Sequence, residues 1–222
     1  MPAAVLQLGE RIRAERARKG MSLRGLARSV GLSPSLISQI ETGKCRPSVS
    51  TLYAITTALG VSVQDVFGEA GVSGGRVTDR VAVGQAVVPA RPAQPAQPAH
   101  GDAREGDGSV VCPGQRDVLE LDSGVIWQRL GRVPGSRVDF LLVSYAPGAC
   151  SAPAGRLMRH AGTEYGYLIQ GELSVTLGVR PHRLTPGDAV SFASMTAHSY
   201  RNEGTVPAVG VWFVAGPEAA QR

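Results

Sequence analysis

The stretch Met21-Ser22-Leu23-Arg24-Gly25-Leu26-Ala27-Arg28-Ser29-Val30-Gly31-Leu32-Ser33-Pro34-Ser35-Leu36-Ile37-Ser38-Gln39-Ile40-Glu41-Thr42-Gly43-Lys44 reads as two short helices joined by a turn. Leu23, Leu26, Ala27 and Val30 fall at the i, i+3, i+4, i+7 spacing of one buried helical face. Ser22 precedes them as an N-cap, and Gly31 follows as a residue free to take positive φ. Ser33 caps the next helix, Pro34 fills its first position, where a missing N–H costs nothing, and Gly43 ends it. Leu36, Ile37 and Ile40 point inward, which leaves Pro34, Ser35, Ser38, Gln39 and Thr42 on the outer face. That face is polar, uncharged and short-chained, so it can approach another molecule closely without burying an unpaired charge.

On the N-terminal side, Val5, Leu8 and Ile12 begin a helical stripe that Glu15 interrupts. On the other side, Val49 to Leu59 reads as a helix closed by Gly60, and Ser62-Val63-Gln64-Asp65 opens a fifth helix with a capping box. Residues 5–67 are thus read as five short helices. From Glu69 to about Gly108 the pattern dissolves into Gly, Ala and Pro, with prolines at 89, 92, 95 and 98. Such density favours extended polyproline conformations and marks a semi-rigid linker, with Val81 to Val88 as a weak strand candidate.

After the linker the period changes to two. Val118–Leu121, Val125–Leu130, Val138–Tyr145, Tyr165–Ile169, Leu173–Leu177, Ala189–Phe192 and Val209–Val214 are short β-branched or aromatic runs, separated by turn signals such as Pro147-Gly148 and Pro186-Gly187-Asp188. Many short strands without intervening helices predict an all-β sandwich or barrel. The expected organisation is a helical domain over 1–68, a linker over 69–108 and a β domain over 109–222.

Charge divides along the same boundary. Residues 1–68 hold nine Arg or Lys against four acids, which is the whole +5 excess of the 222-residue chain. One domain is therefore suited to meet a polyanion and the other is not. No run approaches the roughly 20 apolar residues that span a bilayer, and the N-terminus lacks a signal-peptide core, so a cytoplasmic protein with no membrane partner is expected. Cys45, Cys112 and Cys150 are far apart and odd in number, and they read as ordinary thiols.

The 21–44 stretch, with Pro47-Ser48 and Leu59-Gly60-Val61-Ser62, resembles the xenobiotic-response-element family of lambda-repressor-like helix-turn-helix domains over about residues 5–68. The resemblance implies double-stranded operator DNA as partner. Carried over position by position, Ser35, Ser38 and Gln39 become candidates for reading bases, and a primary amide such as Gln39 can pair bidentately with adenine. Arg24, Thr42, Lys44 and Arg46 become candidates for phosphate contact, which sets register without reading sequence.

In the β domain, His160-Ala161-Gly162-Thr163-Glu164, Gly171, Pro186-Gly187-Asp188, and His198 with Asn202 resemble the two motifs of the cupin superfamily over about residues 109–216. That resemblance implies a small jelly-roll barrel with a metal or organic ligand inside. The full pattern has His-x-His and Glu in the first motif and one His in the second. Here Met158 stands in place of the first histidine, and Ala193 and Met195 replace the usual proline and glycine.

His160, Glu164 and His198 survive as a set that can hold a divalent transition ion such as Zn, Fe, Mn or Ni. The same residues equally suit a polar pocket for an organic effector, or internal hydrogen bonds in a dimerisation block. Met158, Tyr165, Tyr167, Phe192 and Trp212 are candidates for the pocket lining, although strand alternation can also make them core. The expected whole is a homodimeric, non-enzymatic regulator, binding half-sites about 34 Å apart and controlled by what the barrel holds. The alternative is a metal-dependent cupin enzyme, of dioxygenase or isomerase type, with an autoregulatory DNA-binding domain.

Overall fold

The structure, a computed structural model, describes residues 3–67, 110–153 and 156–216. The predicted linker and the strand candidate at 81–88 lie outside the described residues. Five helices come first: α1 (Ala3–Arg18), α2 (Leu23–Ser29), α3 (Pro34–Glu41), α4 (Val49–Leu59) and α5 (Val63–Phe67).

Their ends follow the sequence signals. Ser22, Ser33 and Ser48 each accept a backbone N–H as N-cap, and Gly60 closes α4 in the left-handed region at φ 61°. Ser62 and Asp65 satisfy each other's backbone N–H groups, as a capping box should. Leu8, Ile12, Leu26, Ile37, Ile40, Leu52, Ile55 and Leu59 are fully buried together. At Gly9 any Cβ would come 2.3 Å from the Ile40 carbonyl, so glycine is what lets α1 cross the end of α3.

The two helices are also locked by charge. Arg16 donates from Nε and Nη2 to both oxygens of the buried Glu41, at 2.6 and 2.8 Å. A bidentate pair of this kind fixes geometry as well as contributing energy.

The second domain has nine strands among the described residues: β1 (Val118–Glu120), β2 (Val125–Gly131), β3 (Val138–Tyr145), β4 (Thr163–Gln170), β5 (Leu173–Leu177), β6 (Arg180–Leu184), β7 (Ala189–Ala193), β8 (His198–Arg201) and β9 (Ala208–Ala215). They form a six-stranded sheet in the order β1-β2-β3-β9-β4-β7 and a three-stranded sheet in the order β6-β5-β8, with all pairings antiparallel. Leu141, Val143, Tyr145, Leu168, Leu173, Val175, Tyr200, Trp212 and Val214 fill the space between the sheets.

Strands β6 and β8 escape the sequence reading. Arg180-Pro181-His182-Arg183-Leu184 has no apolar alternation because it is an exposed edge, where proline removes no ladder bond. The inward residues of β8 are His198 and Tyr200, a polar and a half-polar side chain that carry no hydrophobic signal.

The domains meet along α4 and α5. Ser50 N–H donates to the Ser151 carbonyl at 2.9 Å, and Asp122 N–H donates to the Pro47 carbonyl at 3.0 Å. Arg46 pairs with Glu120 at 2.5 Å. Trp127 of β2 meets the edge of Tyr53 from α4 and stacks near Phe67 from α5, with centroids 5.9 and 6.5 Å apart.

Candidate functional site

The outer face of α3 stands free of the rest of the protein. Ser35 and Gln39 are exposed, Ser38 is half-buried, and the inward Ile37 and Ile40 hold the helix on the core. Thr42 turns its hydroxyl back onto the Ser38 carbonyl at 2.8 Å, which leaves the oxygen lone pairs outward. Arg24 and Lys44 are exposed beside this face. Arg46, the fourth phosphate candidate, is held by Glu120 of the other domain.

Inside the barrel, β4 alternates so that Glu164, Gly166 and Leu168 face inward. His160 lies in the loop before β4, and His198 opens β8. Backbone pairing of Met158 with His198, at 2.8 and 3.0 Å, brings the two histidine-bearing segments together. The Nε2 atoms of His160 and His198 lie 2.7 and 2.9 Å from Glu164 Oε1, and the candidate ligand atoms lie within 4.8 Å of one another. All three residues are buried, and apart from one another these three atoms meet no polar partner.

Supporting groups hold those atoms in place. His198 Nδ1 donates to the Thr196 carbonyl at 2.7 Å, which fixes the ring and aims Nε2 at Glu164. Tyr200 donates to the second oxygen of Glu164, Oε2, at 2.6 Å, and Trp212 Nε1 donates to Tyr200 at 3.2 Å. The indole reaches that position because it lies across Gly166 and Gly210, where a Cβ would come within 2.6 Å of its ring. Burial works to raise the Glu164 carboxyl, but the two imidazoles beside it outweigh burial and hold it at about 2. Burial and the Glu164 charge push the Tyr200 phenol well above its ordinary range, so it remains a donor.

Two imidazole nitrogens and one carboxylate oxygen, buried and converging, fit a divalent transition ion with positions left open. Met158 lines the same interior beside Glu164 and adds a thioether, a soft ligand. Trp212 also lines that interior, and Phe192 meets His198 edge to face at 4.9 Å.

Tyr165 and Tyr167 do not line the pocket. They are half-exposed on the outer surface of the six-stranded sheet, because neighbours of the inward Glu164 and Gly166 must face outward in a period-two strand. There they join Phe140 and Phe213 in an aromatic patch, with Phe213 centroids 6.2 Å from Tyr165 and 6.3 Å from Phe140.

Two participants have no sequence signal as site residues. Tyr200 sits in the unread strand β8. Tyr53 belongs to the other domain, and its ring lies flat on the His160 imidazole, with centroids 3.9 Å apart and planes 2° from parallel. The interior left beneath it is about 20 Å³, whereas the cleft on its outer side, between α4, α5 and the barrel rim, is about 480 Å³. Tyr53 borders both spaces.

Comparison with known proteins agrees with this architecture. Residues 7–67 match the helix-turn-helix domain family, and residues 141–214 match the cupin domain family. The HTH-type transcriptional regulator PuuR of Escherichia coli (strain K12) is 25% identical over 196 residues, covering 87% of this chain and 86% of that protein. The immunity repressor protein of Bacillus phage phi105 is 38% identical over 64 residues, 29% of this chain and 44% of that one. The crystal structure of an HTH_3 family transcriptional regulator from Vibrio cholerae superposes with a TM-score of 0.61 at 18% identity, covering 97% of this chain and 98% of that one. That structural likeness shows a shared fold.

Proposed function

We propose that this chain, a DNA-binding helix-turn-helix transcription regulator with a cupin domain, senses a divalent transition ion at His160, Glu164 and His198 and adjusts its operator affinity accordingly. The convergence of three buried ligand-type atoms on one point carries this reading. A bound Zn, Fe, Mn or Ni would supply positive charge and open coordination positions for a small-molecule effector.

On the DNA side, Gln39, Ser35 and Ser38 read bases from α3, while Arg24, Thr42, Lys44 and Arg46 contact phosphates. The protein acts in the cytoplasm as a homodimer, since one small helix-turn-helix makes few contacts and pairing doubles them. The outward aromatic patch of Phe140, Tyr165, Tyr167 and Phe213 is the surface that supports pairing. Sensing is favoured over catalysis by the likeness to a transcription regulator along most of the chain.

Metal analysis of full-length protein purified without chelator tests this, combined with operator selection from genomic fragments. The expected result is about one transition ion per chain and an operator affinity that changes when the ion is stripped. Metal-free protein whose DNA affinity ignores added metals would overturn it.

A further inference from the structure

The twelve residues that follow the recognition helix touch the barrel at four successive points. Arg46 pairs with Glu120, the Pro47 carbonyl accepts from Asp122 N–H, Ser50 N–H donates to Ser151, and Tyr53 covers His160. The segment that carries phosphate-binding cations is thereby the same segment that closes the sensor. Tyr53 borders both the outer cleft, which His160 also lines, and the interior, which Glu164 lines, and the metal-facing atoms are out of contact with solvent.

We propose that Tyr53 is a movable stopper supplied by the DNA-binding domain: a divalent cation enters or leaves the site at His160, Glu164 and His198 only when α4 lifts from the barrel. The same lift takes Arg46 away from Glu120 and frees it for a DNA phosphate. This rests on the metal reading above, and deepens it by naming the route of entry and its link to DNA. Because α4 packs against α1 and α2, which in turn hold α3, it cannot lift without moving the recognition helix relative to the barrel. DNA binding, by favouring the lifted arrangement, then speeds both loading and release of the cation.

The test uses chelator-treated full-length protein and Co(II), whose visible absorption band reports binding. If lifting precedes entry, the wild-type loading rate levels off as Co(II) increases, because it becomes limited by the population of the lifted state. Tyr53→Phe keeps the stacked ring and should load at the wild-type rate. Tyr53→Ala should load at least about tenfold faster, with a rate linear in Co(II), since the competent state is no longer a minor one.

Glu120→Gln is a surface change that leaves both cores intact, so it serves if the alanine variant folds poorly. Loss of one exposed ion pair should speed loading by about two- to fivefold. Full Co(II) binding with identical rates in all four proteins would overturn the stopper while leaving the metal site standing. No Co(II) band in any of them would overturn the metal reading and the stopper with it.

Discussion

Tyr200 and Glu164 are joined by a 2.6 Å hydrogen bond in the barrel interior, and that bond takes Oε2, leaving Oε1 as the carboxylate oxygen aimed at both histidines. Partners of this kind orient a ligand without touching the metal, and their loss typically costs about 10–100-fold in metal affinity. Tyr200→Phe keeps the ring that packs against Tyr145 and Trp212 but removes the donor. Calorimetric titration with Zn(II) should show a loss in that range and little change in thermal stability. Unchanged affinity would remove Tyr200 from the site.

Gln39 and Lys44 should fail differently when truncated. Gln39→Ala should cost about 1–3 kcal/mol on the preferred operator and little on unrelated duplex, as expected for a group that reads a base. Lys44→Ala should weaken binding to every sequence and lower the salt slope by about one. Binding isotherms at several salt concentrations separate the two, and a Gln39→Ala loss shared equally by all sequences would count against base reading.

How much of this was legible without coordinates differs between the two domains. In the helical domain, caps, turn glycines and apolar spacing all act within a few residues of one another, and Ser22, Ser33, Gly60 and the Ser62–Asp65 box stand where local chemistry puts them. What escaped there is non-local: nothing near Arg16 or Glu41 announces a buried bidentate pair 25 residues apart. In the barrel, His160, Glu164 and His198 could be named from the resemblance to the cupin motifs. Tyr200 could not, because β8 has too few apolar residues to signal a strand. Tyr53 reads as simple helix core, since its role depends on how one domain meets the other. Tyr165 and Tyr167 were within reach, as counting by twos from an inward Glu164 puts both outside.

Asp139 of β3 and Asp65 of α5 face one interdomain cleft, which Arg132 and Arg137 also line. Burial, with the Asp65 charge second, raises the Asp139 carboxyl to about 7, against opposing pulls from the Gln64 N–H and Arg129. The folded value lies above the ordinary 3.8, so the native state holds this proton more tightly than the unfolded chain. Its stabilising contribution is fully present below about pH 4, declines as pH rises, and is gone above about pH 7. Asp139→Asn should therefore gain on the wild type between about pH 5 and pH 8, by at most about 3 kcal/mol at 1.36 kcal/mol per unit. Denaturant unfolding across that range checks it; a pH-independent difference would exclude Asp139 as the source.

Tyr167→Lys places a charge in the centre of the outward aromatic patch without touching the barrel interior. If that patch pairs two chains, a buried unpaired ammonium on each side should shift the dimer to monomer at micromolar concentration. Sedimentation velocity reads the outcome directly. A variant that remains as dimeric as the wild type would direct the search to another face.

The chain has two tryptophans, and both belong to the barrel. Trp212 is sealed among Tyr200, Gly166 and Gly210, but Trp127 looks out onto Tyr53 and Phe67 of the helical domain. Separation of the two halves would expose one indole to water and leave the other dry. The protein thus carries its own optical gauge of domain distance, readable as a red shift in emission without any attached dye.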